Sequence, residues 1–548
     1  MLYNIYLVLY FVGIIVGLFF IFRKAGEAPW KALIPIYNIV VWIKICGKDW
    51  KWYLYFLVPA INIFTFLLLV VETAKAFRRY GFWEQLLAIL MPWAYLSFLG
   101  LSPKMTYSNP KEIEPHKVSV ARDWLDTIVF AVVAAVIIRG NVAELYNIPS
   151  SSMEKTLLVG DYTLVSKYSY GPRVTMTPLA VPLVHNVLPG TGGQVESYLK
   201  WIQLPYHRYP GLGKVERYDA VVFNYPDGDT MCSAQFSNRS YYDLVRHYGR
   251  EAVWNDRVYD PYYGRIPIGK IRVRPLDKRE NFIKRCVGLP GEDLQIIDQQ
   301  LYINGNRVDD PAHLQFTYIV QLNSKVADPR HFFDALGVSN EDFDNASYTA
   351  SEYATIVLQY ETHKNAAVRA GITDSLYQKA RAYRNRYELP MTREMAARCA
   401  AMEGVDTVYP QIYAADDMSR DLFPHDGAHR WSIDNYGPIH IPAAGEVLHL
   451  DSSNISIYQR LISSYEHNEV EVRDGKIYIN GEETTQYTVK QDYFWMMGDN
   501  RHNSADSRYW GFVPEDHVLG KFLAVLYSID KDHGGIRWNR CFKAIKSL

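Results

Sequence analysis

Apolar runs of bilayer-crossing length crowd into the first 140 residues of this 548-residue chain, and a β-favouring composition takes over after them. Asn4 to Phe22 is apolar apart from Asn4 and its tyrosines, and Arg23 and Lys24 close it. About 20 such residues are needed to cross a bilayer as helix. The run lacks a basic start and a small-residue cleavage site, so it reads as a retained anchor and not as a removed signal peptide. Tyr53 to Val71 is a second run, and Trp83 to Leu101 a third, whose Pro92 membrane helices tolerate. Trp124 to Ile138 is shorter. It reads as a fourth span with Arg139 snorkelling, or as a buried core helix. Leu33 to Cys46 holds Pro35, Asn38 and Lys44, which suits an interfacial or re-entrant segment. The expected layout is a multi-span transmembrane region over 1–110, then a cytoplasmic linker and last transmembrane anchor over 111–145. Lys and Arg number six in 23–52, three in 72–84 and four in 101–123, which only weakly follows the alternation of the positive-inside rule. Four spans with an external N-terminus place everything after Ile138 outside.

Beyond Ile138, β-favouring runs recur at Tyr162–Val165, Ala220–Tyr225, Leu294–Asn304, Glu469–Ile479, Tyr493–Met497 and Gly520–Leu526. Turn pairs such as Pro290-Gly291 and Asn480-Gly481 separate them. Leu301–Gly305 and Ile477–Gly481 echo each other and predict two similar hairpins. Ser351–Tyr360, Asp374–Asn385 and Thr392–Met402 are helix-length stretches of helix formers. They predict a partly helical subdomain over 310–430, inserted into a β domain whose two parts are 146–309 and 431–548. Formal net charge is -1, which gives no reason to expect nucleic acid as a partner. Five cysteines stand apart in sequence, so there is no CxxC motif, and they read mostly as free, buried small hydrophobes.

Three polar segments carry chemistry. The first is Asn147 to Leu157, in which Ser150, Ser151 and Ser152 follow Pro149 directly after the last apolar run. An apolar turn and a strand follow, so a hydroxyl held there can face a cleft. Taken alone, such a segment is more often a loop or cap. In the second, Phe282 to Gly291, Lys284 sits in a strand-like run. It is either an edge-strand charge or a buried amine whose pKa burial lowers. A lysine brought to about 7–8 can take a proton from a serine hydroxyl without any histidine. The third is Met497 to Pro514, polar between apolar strands. Asp499, Asn500, Asn503 and Asp506 there are oxygen donors, but no bidentate Glu follows at EF-hand spacing. His502 and His517 lie nearby in no recognisable triad context.

Together, in this order after a membrane segment, these runs resemble the bacterial type I signal peptidase (leader peptidase) family. The Ser-Met pair after Ile-Pro-Ser, the Lys-Arg-x-Val-Gly-Leu-Pro-Gly run and the Gly-Asp-Asn-Arg-x-Asn-Ser-x-Asp-Ser-Arg run carry the resemblance. Arg217 to Pro226 and Ile536 to Arg540 look like further family segments. Tyr218 stands where the family usually has glycine, which leaves that turn open to difference. The first 110 residues and the 310–430 insert fall outside the common pattern.

The resemblance implies a mostly-β, signal-peptidase-like catalytic fold behind a helical membrane anchor. It also implies a serine–lysine mechanism with an acyl-enzyme intermediate. Ser152 corresponds to the nucleophile and Lys284 to the general base. Ser150, with the Ser152 N–H, corresponds to the oxyanion hole, and Ser504 to the hydroxyl that orients the lysine. Asp499, Asp506 and Arg508 correspond to the structural network, with Gly498 permitting close backbone packing. Ser151 is assigned no chemistry. Tyr146, Ile148, Phe282 and Ile283 are expected to line shallow pockets for small side chains. The implied partners are preproteins with N-terminal signal peptides, the lipid bilayer of a bacterial plasma membrane and the export machinery beside it. The catalytic domain is implied to lie on the outer face, and no metal or organic cofactor is implied. Two rival readings are a Ser–Lys self-cleaving repressor protease on a membrane anchor and an inactive preprotein-binding family member. The first does not account for the Gly-Asp-Asn-Arg segment, nor the second for an intact Ser152 and Lys284.

Overall fold

A computed structural model describes residues 2–57, 61–113, 119–191, 195–232, 240–260, 264–266, 268–323, 326–362, 364–369, 371–415 and 421–544. The chain divides into two compact units: 1–144 with 173–188 and 196–207, and 145–172 with 189–195 and 208–548.

The first unit is helical. Its helices are Leu2–Lys24, Tyr37–Ile45, Lys51–Leu57, Ile61–Ala76, Phe82–Leu90, Pro92–Leu101 and Val120–Asn141. Residues 58–60 of the Tyr53–Val71 run, and the side chains of 1–9, lie outside the described residues. Small residues set the closest helix contact. A Cβ at Gly17 would sit 2.6 Å from the Leu96 backbone, and one at Gly100 would sit 2.7 Å from the Gly17 carbonyl. Such close approach is how helices associate where no water drives them together. Ser97 Oγ donates to the Gly13 carbonyl at 2.7 Å in the same contact. Lys24 Nζ closes the end of Pro92–Leu101 by donating to the carbonyls of Leu99, Ser102 and Met105 at 2.8, 2.7 and 2.9 Å. The Trp83–Leu101 run is two helices, Phe82–Leu90 and Pro92–Leu101, bent by 117° where Pro92 cannot continue the first. Among the described residues no single helix is long and apolar enough to cross a membrane; this bent pair meets that requirement together.

The second unit is mostly β. Its main sheet contains β1 (Ala143–Asn147), β2 (Asp161–Ser166), β3 (Ala220–Asn224), β4 (Asn281–Gly288), β5 (Tyr493–Met497), β6 (Val513–Pro514), β7 (Val518–Ser528) and β8 (Lys543–Ala544). The strand order is β1-β2-β7-β3-β4-β5-β6, with β8 against β7. β4 is therefore interior, with Val221 of β3 opposite Lys284 and Met497 of β5 opposite Arg285. β3 and β5 are buried along their whole lengths, which suits their near-continuous apolar sequences. A four-stranded sheet of Asn306–Arg307, Gln300–Ile303, Glu292–Ile297 and Tyr436–Ile441 adds Leu294, Leu301 and Ile439 to a large core around Trp495, Tyr493 and Phe512. The two echoed segments do form similar hairpins. Asn304-Gly305 and Asn480-Gly481 are two-residue turns with positive φ at both positions, the geometry a right-twisted hairpin favours.

Residues 315–410 combine helices with a three-stranded antiparallel sheet. Gln315–Leu322 lies between Arg386–Thr392 and Val405–Pro410. Helices Asn340–Thr362, Asp374–Tyr383 and Arg393–Ala400 occupy the three stretches read as helical. Phe343 of the first and Cys399 of the third share a core with Phe333, Val320, Leu389 and Met391, whereas Leu376 and Tyr377 of the second pack in a smaller cluster with Tyr360 and Ile372. All five cysteines are free, four of them buried.

β2 passes close to β7 at Gly520, where a Cβ would lie 2.4 Å from the Ser166 carbonyl oxygen. Backbone cannot swing aside as a side chain does. Gly520→Ala is expected to destabilise the β unit by about 1–3 kcal/mol. Thermal unfolding of the detergent-solubilised protein checks this, and an unchanged midpoint would show that the strand shifts freely.

Candidate active site

Ile148, Met153 and Leu157 are apolar pegs that sink into a cluster with Ala220, Phe522 and Val525. Between them the chain makes a single turn of 3-10 helix, Ser151–Met153, after an extended Ser150. That geometry leaves Ser150 exposed, Ser151 buried and Ser152 half-buried. The Ser150 hydroxyl does not cap the turn.

Lys284 reaches this turn from the interior of the sheet. Its Nζ lies 2.6 Å from Ser152 Oγ, across 132 residues of sequence. The lysine is only 3% exposed. Burial pushes its amine down to about 8, and the Asp506 and Asp499 carboxylates oppose that shift only in part. The edge-strand alternative for Lys284 is thereby removed, since β4 is flanked on both sides.

Polar segment three forms the wall behind the pair. Asp499 accepts from Arg285 Nε at 2.7 Å and Nη2 at 2.5 Å, and from Thr156 Oγ1 at 2.6 Å. It thus ties the segment Asn147 to Leu157 to β4. Asp506 accepts from Arg508 Nε at 2.9 Å and Nη2 at 2.8 Å, and from the Gly498 N–H at 3.1 Å. Burial works to raise the Asp506 pKa, but the Arg508 guanidinium, the Gly498 N–H and Ser504 together outweigh it and hold the carboxyl below its usual range. Gly498 is the point of closest approach, where a Cβ would sit 2.2 Å from Ser504 Oγ and 2.5 Å from the Ser152 carbonyl. Ser504 is therefore beside the nucleophile turn. Its buried hydroxyl helps hold Asp506 ionised, although that contact falls short of full hydrogen-bond geometry.

The four expected pocket residues do not share one environment. Ile283 packs on the Ile148–Met153 cluster. The Phe282 ring instead lies 4.5 Å from Tyr225 and 5.6 Å from Trp510, with Lys284 Nζ 5.8 Å from its centre. Tyr146 is half-buried, and its carbonyl accepts from Thr163 Oγ1 at 2.9 Å. Both histidines near the site have their ring nitrogens engaged elsewhere. His502 meets Asp434 at 2.8 Å and the Thr317 N–H at 3.2 Å; His517 meets Asp516 at 2.6 Å and Arg279 at 2.7 Å.

Several holding residues escaped the sequence reading. The Asn500 N–H donates to the Ser152 carbonyl at 3.1 Å and its Nδ2 to the Ser151 carbonyl at 3.3 Å. Asn503 Nδ2 donates to Ser151 Oγ at 3.0 Å, which explains why that serine is buried. Arg285 and Thr156 complete the Asp499 cluster. Asn500 and Asn503 lie inside the polar run, but only as oxygen donors for a metal did they draw notice. In the tail, Arg540 Nη2 reaches Asp161 Oδ2 at 2.7 Å and the Thr156 carbonyl at 2.9 Å, bracing the turn after the nucleophile segment. Tyr218 keeps a left-handed backbone, φ +68°, the conformation glycine adopts without cost. Its hydroxyl donates to the Asp309 carbonyl at 2.6 Å and its ring packs on the large core.

Residues 121–344 and 483–527, which include every one of these groups except the tail and Asp434, match the family described as signal peptidase, peptidase S26. Over these two segments the chain is similar to the signal peptidases. Residues 30–110 match a second family, one of unknown function. Signal peptidase I of Buchnera aphidicola subsp. Acyrthosiphon pisum is 53% identical over 60 residues, 10% of this chain and 19% of that protein. Signal peptidase I of Haemophilus influenzae is 40% identical over 70 residues, 12% of this chain and 20% of that protein. The chain thus spans about a fifth of the length of these relatives. A longer, more distant match is signal peptidase I of Buchnera aphidicola subsp. Baizongia pistaciae, 22% identical over 410 residues, 74% of this chain and 77% of that protein. The family match is interrupted over 345–482. That interval contains most of the helices and two of the three strands of the 315–410 region.

Gly498 admits no side chain. Gly498→Ala is expected to displace the Ser152 carbonyl and to lower peptidase turnover on the order of 10²-fold, the cost of a misplacement near 1 Å. Steady-state kinetics on protein shown to be folded by circular dichroism checks it, and near-normal turnover would mean the loop relaxes without moving Ser152.

Proposed function

We propose that the protein is a membrane-bound signal peptidase I, a serine endopeptidase that removes N-terminal signal peptides from exported preproteins. The observation that carries this reading is the buried Lys284 amine 2.6 Å from Ser152 Oγ. An amine brought to about 8 by burial is neutral often enough near neutral pH to act as a base. Ser152 Oγ attacks the scissile carbonyl carbon while its proton passes to Lys284 Nζ. The C–N bond then breaks, and the resulting ammonium returns the proton to the leaving amine. Water, activated by the same lysine, hydrolyses the acyl-enzyme. Ser150 Oγ and the Ser152 N–H hold the negative charge on the tetrahedral oxygen, a contribution of roughly 3–4 kcal/mol where such donors have been removed. Ser504, whose buried hydroxyl has no hydrogen-bond partner among the described residues, is assigned the task of turning the amine toward Ser152. Asp499, Asp506 and Arg508 fix the wall behind it.

Ile148 and Ile283 supply the apolar floor for small side chains before the cut, with Tyr146 and Phe282 at its margins. The substrate chain pairs as an added strand. In this reading 1–110 is a multi-span membrane region, 111–145 carries the last anchor, and 146–309 with 431–548 form the catalytic domain around the 310–430 insert. The catalytic domain faces the outer side of a bacterial plasma membrane, where preproteins leave the export machinery.

Incubation of the purified protein with a preprotein tests the reading directly. Cleavage after a small residue is expected, and a full-length preprotein remaining intact would overturn it. Ser152→Ala and Lys284→Ala should each abolish cleavage, and the double variant should be no worse, because the two groups act as a unit. Lys284→Arg should be equally inactive, since a guanidinium keeps its proton.

The pH dependence follows from the direction of the lysine shift. Only the neutral amine is a base, so activity is lost as pH falls below about 8 and levels off above it. Turnover should drop about tenfold per pH unit on the acid limb. A profile flat from roughly pH 6 to 10 would exclude a titrating lysine.

A further inference from the structure

The strand Gln315–Leu322 runs up against the loop that holds the nucleophile turn. The Gln315 N–H donates to the Asp499 carbonyl at 2.9 Å, and the Arg501 N–H donates to the Gln315 carbonyl at 2.9 Å. Two residues on, the Thr317 N–H donates to His502 Nδ1 at 3.2 Å. That nitrogen must therefore carry a lone pair. The proton of the neutral ring then sits on Nε2, which lies 2.8 Å from Asp434 Oδ1. Asp434 cannot swing away, because its other oxygen accepts from the Tyr413 N–H at 3.0 Å and from Gln299 Nε2 at 3.2 Å. Phe316 and Tyr413 meet the imidazole edge-on, with centroids at 5.8 and 5.6 Å. The ring is fixed in plane and in tautomer.

His502 stands between the residues that grip the nucleophile turn. Asn500 lies two positions before it and donates to the Ser151 and Ser152 carbonyls. Asn503 follows it and donates to Ser151 Oγ. We infer that His502 is a positioning residue: it locks the Asp499–Ser504 loop between the strand Gln315–Leu322 and Asp434, and through Asn500 and Asn503 sets the place of Ser152 before Lys284. The 310–430 segment is then part of the nucleophile's holder. This inference rests on the Ser152–Lys284 reading given above.

The test compares wild-type protein with His502→Ala and His502→Gln in the full chain, purified in detergent. Alanine removes both hydrogen bonds, whereas the glutamine amide offers an acceptor and a donor. For His502→Ala, kcat for a preprotein should fall on the order of 10²-fold while KM stays within about twofold, because substrate contacts are untouched. Amide exchange at Asn500 should quicken in the same variant. His502→Gln should recover at least about tenfold of the lost kcat and restore the slow exchange. A His502→Ala enzyme with kcat within about twofold of wild type overturns the inference. So does a loss explained wholly by a smaller folded fraction, or a glutamine variant no better than alanine. Exchange needs no substrate, so it judges His502 even if wild-type protein fails to cleave and the dyad reading falls.

Discussion

A lysine amine taken out of water and set against a serine hydroxyl is the constraint around which the β unit is arranged. A buried ammonium without a partner is among the costliest groups a protein can contain. The lower-energy course is to release the proton, and burial does push the Lys284 amine down to about 8. That outcome depends on keeping nearby carboxylates from pairing with it. Asp499 and Asp506 both lie close enough to oppose the shift, yet each is engaged by its own guanidinium, Arg285 and Arg508. The two arginines therefore do more than fill the wall. They divert negative charge that would otherwise hold Lys284 protonated.

The same pairs also do mechanical work. Buried ion pairs contribute little net stability, because desolvation offsets most of the Coulombic attraction, but breaking one by removing a partner costs about 3–5 kcal/mol. Such groups suit a task in which geometry matters more than stability. Asp499 joins Thr156, four residues after Ser152, to Arg285 on β4, the residue next to Lys284. Asp506 joins Arg508 to the Gly498 N–H, under the carbonyl of Ser152. Each carboxylate thus fixes one side of the Ser152–Lys284 distance. Glu154, also buried but given no strong guanidinium contact, is instead pushed up to about 7.

Much of this was legible in the sequence. β2, β3, β5 and β7 announce themselves by apolar runs, and both Asn-Gly turns by their side chains. Ser152, Lys284 and the polar wall sit in segments whose order is distinctive. What the sequence did not disclose depends on pairing between distant segments. Lys284 could have been an edge charge, because nothing local says that β3 and β5 flank its strand. The sheet at 315–410 was missed because Arg386–Thr392 contains Pro390, which argues against a strand, and because helix formers dominate the residues between its strands. Asn500 and Asn503 drew attention for their oxygens, whereas the structure uses their N–H groups. In the helical unit the apolar runs were plain, but their geometry was not: one run of 19 residues, Trp83 to Leu101, is broken by Pro92 into two helices at 117°.

The turn Ser151–Met153 has little intrinsic stability, being a single turn of 3-10 helix. Its apolar pegs fix depth but not direction, because hydrophobic contact is non-directional. Direction comes from hydrogen bonds, and most of those described here involve residues 499–503, with Lys284 and Arg540 supplying the others. That loop in turn receives its own bonds from Gln315, Thr317 and Asp434. The chain of restraint therefore runs from the strand Gln315–Leu322 through the loop to Ser152. Substitutions along it are expected to act on turnover before they act on folding, since the cores beneath stand on separate apolar clusters. The 315–410 segment is in this way joined to the turn that holds Ser152 by a few directional bonds, without sharing the apolar cluster on which that turn rests.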